Sequence, residues 1–196
     1  MEHIVQDGGT KGFAEFAQKM ARQWPERPNY RRLMFSEKDT GMYDAVNRGF
    51  GRASGRIFAY LNCDEQYLDG ALAKIHAAFS AQPWTDLFFG DTIILRKNGE
   101  PVCWRKFLVP GIAHTWTCHF SALSAAMFFR SGLWEGGLRF DASYRTAADA
   151  AWYLKARRQG ATAGTLGFVT STFVERDFQG QRKPRQKVSS REACVE

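Results

Sequence analysis

In the first half of the chain, short apolar runs typical of strands alternate with segments in which apolar residues recur at helical spacing. The run at 3–6 predicts a strand that ends at Asp7, and apolar residues at helical spacing follow over 13–24. The same alternation continues as a strand at 32–35, a helix at 42–53, a buried strand at 57–61 and a helix at 68–79. Strands that alternate with helices in this way are typical of an α/β fold with a parallel sheet.

The pattern changes after residue 85. Strand-like runs at 86–89 and 92–96 lead through an Asn-Gly turn at 97–100 to a run at 102–104, which predicts a hairpin. A strand at 126–129, a helix at 148–159 and a β-prone segment at 167–173 complete the pattern. The sequence therefore predicts an α/β fold with a mixed sheet flanked by helices, in one domain over residues 1–175.

Composition narrows the classes of protein to consider. Of the 196 residues, 44% are hydrophobic and 24% charged, which is the balance of a globular protein rather than of a coiled coil or a disordered chain. No apolar run approaches the ~20 residues that span a bilayer, and the first residues lack a signal-peptide pattern. The four cysteines are scattered without a CxxC spacing. We therefore expect a cytoplasmic protein.

The formal net charge of +7 suits nucleic acid, anionic lipid or phosphorylated small molecules. The segment 176–196 holds six basic and three acidic residues and few apolar ones, so we expect a basic polar tail there. Such a tail is either a solvated end or a peripheral contact with a membrane surface. No RNP-like strand, zinc finger or GXXG loop is present, so we expect no nucleic-acid partner.

Polar side chains follow two of the predicted strands. Asp7 ends the first strand, and Asn62, Asp64 and Glu65 follow the strand at 57–61. Ligands of open α/β sheets bind at the carboxyl ends of strands, and Mg²⁺ or Mn²⁺ uses one or two carboxylates beside the phosphates of its ligand. The alternative is that Asp64 or Glu65 begins the helix at 68–79.

A second polar cluster, at 36–49, lies at the entrance of the helix at 42–53. Free N–H groups at a helix start attract anions. The alternative is that Asp39 or Thr40 caps the helix and that Asp44 and Arg48 form an i,i+4 surface pair.

Taken together, four motifs closely resemble the inverting family 2 glycosyltransferases of GT-A fold, in order and in interval. They are Asp7-Gly8-Gly9-Thr10, the run from Glu37 to Gly49, Ala53-Ser54-Gly55, and Leu61-Asn62-Cys63-Asp64-Glu65. The run from Glu37 to Gly49 is the most specific of them. Weaker landmarks follow at 89–91, 128–130, 137–141 and 147–152, so the resemblance covers about residues 3–160.

The resemblance implies a role for each matching residue. Asp7 and Gly9 would lie in the turn that contacts the base or ribose, and Asp39, Tyr43, Asp44 and Asn47 would shape the donor pocket. Asn62 takes the first position of the DXD-like motif. Asp64 takes its last position and would be the ligand of Mn²⁺ or Mg²⁺. Asp149 would be the general base, although Ala148 stands where the family has Glu; the alternative for Asp149 is a helix N-cap.

The activity implied is metal-dependent transfer of a sugar, with inversion, from a nucleotide-sugar donor (a UDP-sugar) to a glycan or lipid-linked acceptor. This chemistry would serve polysaccharide or cell-envelope glycan synthesis at the inner face of the membrane. The alternative is a catalytically degenerate nucleotide-binding module of the same fold. A nucleotidyltransferase is a weaker rival, since its glycine- and Arg/Lys-rich loop is not evident near the start of the chain.

Two departures from the family pattern stand out. Family members begin with a central strand some thirty residues before the turn at Asp7, and this chain has none, so we expect two inner strands without a partner and low stability or weak activity. A monomeric, sharply melting protein would contradict that expectation. In the turn itself, Thr10-Lys11-Gly12 replaces a longer pattern that contains an acidic residue.

Overall fold

The computed structural model describes residues 1–175, and the predicted tail at 176–196 lies outside the described residues. The described chain contains eight strands and six helices. In chain order they are β1 (Glu2–Asp7), α1 (Phe13–Gln23), β2 (Arg31–Ser36), α2 (Met42–Arg52), β3 (Ile57–Phe58), β4 (Glu65–Tyr67), α3 (Ala71–Ala81), β5 (Leu87–Leu95), β6 (Pro101–Arg105), α4 (Ile112–Thr117), β7 (Met127–Arg130), α5 (Ser131–Glu135), α6 (Ala148–Arg158) and β8 (Ala163–Val174).

The predicted order of elements is confirmed through α2, and three details differ afterwards. The strand expected at 57–61 is only β3, because it pairs with β7 at two positions and no further. The helix expected from residue 68 begins at Ala71, after β4. The two runs at 86–96 form the single strand β5, which turns into β6 as the predicted hairpin.

Contacts divide the chain into two compact units. The first unit comprises Met1–Phe58, Pro110–Phe120 and Phe128–Thr162; the second comprises Ala59–Val109, Ser121–Met127 and the chain from Ala163 onward. The single domain predicted over 1–175 stays a prediction.

In the first unit, β1 and β2 form a parallel two-stranded sheet of their own. Its register runs from Glu2 opposite Arg31 to Asp7 opposite Ser36. No described strand pairs with the second edge of β1. No residue before Tyr43 is buried, and α1 leaves Phe16 and Trp24 about half exposed. An apolar cavity of about 520 Å³ lies between α1 and the two strands.

The core of the first unit is aromatic and joins α2 to α6. Phe50 of α2 stacks on Phe58 at 5.1 Å between ring centroids and meets the edge of Phe129 at 5.3 Å. Phe140 stacks on Trp152 of α6 at 5.3 Å. All five side chains are buried. This packing fixes α2 and α6, which carry most of the predicted site residues of this unit.

The second unit contains strands β4, β5, β6 and β8 of a mixed sheet. β5 pairs antiparallel with β6 and parallel with β8, and β8 pairs antiparallel with β4. The Leu87-Phe88-Phe89 run of β5 is at most 1% exposed. Gly90 is required by close packing, because a Cβ there would lie 2.2 Å from Cγ2 of Thr170. The predicted mixed α/β sheet with an antiparallel portion is confirmed.

Among the described residues, no helix has both the length and the apolar character needed to cross a bilayer.

Candidate functional site

Asp7 ends β1 with its carboxylate tied into the following turn and into the neighbouring strand. Oδ2 accepts hydrogen bonds from the Ser36 hydroxyl at 2.6 Å and from the N–H groups of Gly9 and Thr10 at 2.9 and 2.7 Å. These bonds, the one from Ser36 foremost, lower the pKa of Asp7 to about 2. Asp7 is therefore a fixed anion at the carboxyl edge of the β1–β2 sheet at every physiological pH.

Two glycines let the loops after β1 and β2 approach each other beside Asp7. A Cβ on Gly8 would lie 2.8 Å from Oδ2 of Asp39, so the Asp39 carboxylate sits directly against the backbone of residue 8. Gly9 has φ +93°, a left-handed conformation that favours glycine. The structure thus brings Asp7, Gly9 and Asp39 together at one edge, as a site for a polar ligand requires.

Asp44 is held in an ion pair at the first turn of α2. Arg48 donates from Nε and Nη2 to its two carboxylate oxygens at 3.1 and 2.9 Å, and Thr40 donates its N–H at 3.0 Å. The Thr40 and Arg48 bonds hold the pKa of Asp44 below its usual value. The predicted i,i+4 pair is thus present, whereas Gly41, not Asp39 or Thr40, is the N-cap. The donor-pocket role of Asp44 stays a prediction.

Asn47 bonds to the backbone of Phe140 through both ends of its amide. Nδ2 donates to the Phe140 carbonyl at 2.7 Å, and Oδ1 accepts the Phe140 N–H at 3.0 Å. The ring of Phe140 stacks on Tyr43 and Trp152. The contact that Asn47 makes in the structure is therefore structural, and its predicted place in a donor pocket stays a prediction.

Tyr43 and Asp149 meet although 106 residues separate them in sequence. Tyr43 is 4% exposed and its hydroxyl donates to Oδ1 of Asp149 at 3.4 Å. Burial raises the pKa of Asp149 above the ordinary carboxyl value, and the bond from Tyr43 opposes that rise. A partly desolvated carboxylate with a raised pKa is the kind of group that takes up a proton from an alcohol.

The backbone before α6 is strained where Asp149 is presented. Ala147 has φ +64°, the only positive φ of a residue other than glycine in the described chain. Ala147 is also the N-cap, so Asp149 is not in the capping position that the alternative required, although its Oδ1 accepts the N–H of Ala150 at 3.0 Å. Strain of this kind is found disproportionately at functional sites.

Asn62 and Asp64 belong to the second unit, in the turn that precedes β4. Glu65 accepts the backbone N–H of Asn62 at 2.7 Å and its side-chain Nδ2 at 3.1 Å, while Glu65 donates its own N–H to the Asn62 carbonyl. Asp64 is half-buried at the corner of this turn. Neither Asp64 nor Glu65 begins a helix, because α3 starts at Ala71 after the N-cap Gly70, so that alternative is wrong.

The donor set for a metal ion is small. The described residues contain no group of three or more His, Cys, Asp or Glu side chains that could hold an ion. Asn62 donates its side-chain N–H to Glu65. Asp64 fits the mode in which Mg²⁺ takes one carboxylate and completes its shell with phosphate oxygens and water.

Sequence reasoning missed the residues that organise these clusters. Ser36, which gives Asp7 its shortest bond, carries no signal beyond its place at the end of β2. Phe140, which bonds Asn47 and stacks on Tyr43, lies 93 residues from Asn47. Arg52 bonds Glu37 at 2.6 Å, and its guanidinium lies 4.2 Å from the centre of the Phe35 ring.

Comparison with known proteins gives concordant results. Residues 3–137 match the model of glycosyl transferase family 2. Two PGL/p-HBAD biosynthesis glycosyltransferases, from Mycobacterium bovis (strain BCG / Pasteur 1173P2) and Mycobacterium tuberculosis (strain ATCC 25177 / H37Ra), are each 28% identical over 151 residues, which is 74% of this chain and 54% of theirs. The chain therefore spans about half the length of these relatives.

Solved structures agree on the fold. The crystal structure of S. aureus TarS 1-349 in complex with UDP has a TM-score of 0.64 at 16% identity and covers 89% of this chain and 51% of that one. The complex with UDP-GlcNAc has a TM-score of 0.65 at 16% identity, over 90% of this chain and 50% of that one. The expected GT-A fold is thereby confirmed.

Proposed function

The chain belongs to glycosyl transferase family 2, and we propose that it transfers a sugar from a UDP-sugar donor to an acceptor hydroxyl with inversion at the anomeric carbon. The observation that carries the proposal is the Tyr43–Asp149 pair, a partly desolvated carboxylate held by a buried phenol. The catalytically degenerate module is the outcome to be excluded by experiment.

Asp149 would act as the general base. An alcohol is a poor nucleophile at neutral pH, and a carboxylate within hydrogen-bond reach that takes its proton during attack typically contributes about 10²–10⁴-fold in rate. The raised pKa of Asp149 makes this carboxylate a stronger base, as accepting a proton from an alcohol requires. Tyr43 would orient the carboxylate and keep it ionised. Direct attack in one displacement inverts the anomeric configuration and needs no enzyme nucleophile.

Asp7, with Gly9 and Asp39 beside it, would bind the nucleoside. A carboxylate that stays ionised suits the N–H of a uracil ring or the hydroxyls of a ribose. Gly8 lets the Asp39 carboxylate approach the same edge of the sheet. The crystal structures of S. aureus TarS in complex with UDP and with UDP-GlcNAc support the choice of uridine.

Asp64 would hold a divalent cation, Mn²⁺ or Mg²⁺, together with the diphosphate of the donor. Bound there, such an ion would stabilise the negative charge that develops on the leaving diphosphate. Asn62 would bind the donor beside Asp64, and its bond to Glu65 would set the shape of the turn.

The acceptor would be a glycan or a lipid-linked glycan in cell-envelope synthesis at the inner face of the membrane. The names of the mycobacterial relatives, which place them in PGL/p-HBAD biosynthesis, support a role in glycan assembly. The contact of the basic tail with a membrane surface remains a proposal that falls outside the described residues.

Thermal unfolding with and without UDP and Mn²⁺ tests the donor site. Ligand at 100 times its Kd adds about 2.7 kcal/mol of stability, which for this length raises Tm by roughly 5–10 °C. We expect a rise that requires Mn²⁺, that Asp64→Asn removes and that Asp7→Asn weakens. The control is Asp69→Asn, which alters an exposed carboxylate of the same unit as Asp64.

The outcomes separate the parts of the proposal. A rise that persists in Asp64→Asn would overturn the metal ligand and leave the nucleotide site intact. No rise with UDP under any condition would overturn the UDP donor. A normal rise without turnover of any UDP-sugar would favour the degenerate module.

A further inference from the structure

The β5–β6 hairpin of the second unit exposes apolar side chains next to cations. Val102, Trp104 and Leu108 are 43%, 63% and 75% exposed. Trp104 and Val102 share one face of β6, because side chains two residues apart on a strand point the same way. Exposed apolar side chains scattered singly need no explanation, but a grouped set does.

Asp91 bonds both the Trp104 side chain and the backbone that leads into Leu108. One oxygen of its buried carboxylate accepts the indole N–H of Trp104 at 3.1 Å, and the other accepts the backbone N–H of Phe107 at 3.0 Å. The indole and the backbone of residue 107 therefore meet at a single carboxylate, and Leu108 is the next residue along the chain. Val102, Trp104 and Leu108 are called the hairpin patch below.

The bond to Asp91 also decides what Trp104 presents to its surroundings. The polar N–H of the indole points inward and is satisfied by a group that is 1% exposed. The part of the side chain that remains exposed is the apolar ring. A tryptophan arranged in this way exposes apolar ring surface that a partner can bury, and it exposes no hydrogen-bond donor that the partner would have to satisfy.

Cations outnumber acids along the hairpin that carries the patch. Between residues 96 and 108 the chain carries four exposed cations and one acid. Arg96 pairs with the acid, Glu100, at 3.1 Å. Arg105 is held in place, since Nη2 donates to the Ser121 carbonyl at 2.9 Å. Lys97 and Lys106 complete the set. Exposed apolar side chains next to Lys and Arg residues are typical of proteins that bind the surface of anionic bilayers.

We propose that the hairpin patch docks on an anionic lipid surface, with the Trp104 ring and Leu108 in the headgroup region and Lys106 against the lipid phosphates. The excess of cations over acids along the hairpin is the reason for choosing an anionic bilayer over a protein partner. This surface is separate in sequence from the basic tail, and it predicts burial of a ring in lipid as well as electrostatic attraction.

Quenching of tryptophan fluorescence by brominated lipid tests the proposal directly. The full chain is mixed with vesicles of equal parts phosphatidylcholine and phosphatidylglycerol whose acyl chains carry bromine. We expect quenching that Trp104→Phe largely removes, because phenylalanine keeps an apolar ring but not the indole emission. Trp84→Phe is the matched control, since Trp84 is 71% exposed in the same unit and outside the hairpin patch.

Sedimentation with the same vesicles, without bromine, measures affinity. Leu108→Asn is expected to weaken binding about tenfold or more, and Lys106→Gln about fivefold. Neither substitution touches the bonds of Asp91, so both variants should melt like the parent protein. Vesicles of phosphatidylcholine alone should bind far less.

Three results would overturn the proposal. The first is no sedimentation with anionic vesicles. The second is that the Trp104→Phe variant is quenched as strongly as the parent protein and that the Leu108→Asn variant binds vesicles as tightly. This result would assign the contact to another basic surface such as the tail. The third is self-association, without lipid, that Leu108→Asn abolishes, which would assign the hairpin patch to a second copy of the chain.

Discussion

Asn47→Ala tests the contact between α2 and the chain before α6 that the structure shows most clearly. Alanine removes a donor 2.7 Å from the Phe140 carbonyl and an acceptor 3.0 Å from the Phe140 N–H. Phe140 is 2% exposed, so both backbone groups would lose their partners in a largely dry environment. Each unsatisfied buried group costs about 1–3 kcal/mol, and because Asn47 itself is only half-buried we expect a total of about 2–4 kcal/mol.

Urea unfolding followed by circular dichroism measures this loss. In a chain of 150–250 residues, about 2–4 °C of Tm corresponds to each kcal/mol, so a fall of about 4–16 °C should accompany it. Asn98→Ala is the matched control, because Oδ1 of Asn98 accepts one N–H in an exposed turn and should cost under about 1 kcal/mol. If Asn47→Ala costs no more than Asn98→Ala but weakens UDP binding, the structural role is wrong and the donor-pocket role gains support.

Four further predictions follow from the same structure. Burial raises the folded-state pKa of Asp149, so the contribution of Asp149 to stability is present below the unfolded-state pKa and is lost as pH rises through the folded-state pKa. Asp149→Asn should therefore raise Tm at neutral pH but not near pH 3. An unchanged Tm at neutral pH would contradict this. Asp7 has a folded-state pKa of about 2, so it contributes stability above its unfolded-state pKa, and this contribution is lost as pH falls through 2. Asp7→Asn should therefore lower Tm at neutral pH, and the difference in Tm from the parent should disappear in acid. An equal difference at both pH values would refute the lowered pKa of Asp7. Gly90→Ala should cost about 1–3 kcal/mol in urea unfolding, partly recovered by adding Thr170→Ala, whereas a neutral single substitution would refute the close packing. Amides of the β1–β2 sheet, which lacks a buried residue, should exchange with deuterium faster than those of β5 and β8, and equal protection would argue that something covers this sheet.

Local patterns in the sequence were sufficient for the elements up to α2. Each of these elements has its own apolar period or turn signal, and such local signals do not depend on distant residues. The length of β3 was not predictable, because a strand extends only as far as its partner, and β7 lies some seventy positions further on. The short helices α4 and α5 have six and five residues, too few for a helical period to register.

The site shows the same division between local and distant information. The position of Asp7 at a strand end follows from the sequence, and the structure adds the bonds that keep it ionised. The meeting of Tyr43 with Asp149 spans 106 residues, so only the family resemblance, and no spacing rule, marked both as site residues. The two-ended bond of Asn47 to a backbone 93 residues away carries no sequence signal at all.

Release of UDP from a panel of UDP-sugars, measured with glycan and lipid-linked acceptors, tests the central claim most directly. We expect acceptor-dependent release by the parent chain and about 10²–10⁴-fold slower release by Asp149→Asn. Glu135→Gln, which alters an exposed carboxylate of the same unit, should stay close to the parent. Release that survives Asp149→Asn unchanged would contradict the assignment of the base, and UDP binding without release from any donor would contradict the claim that this chain is a transferase.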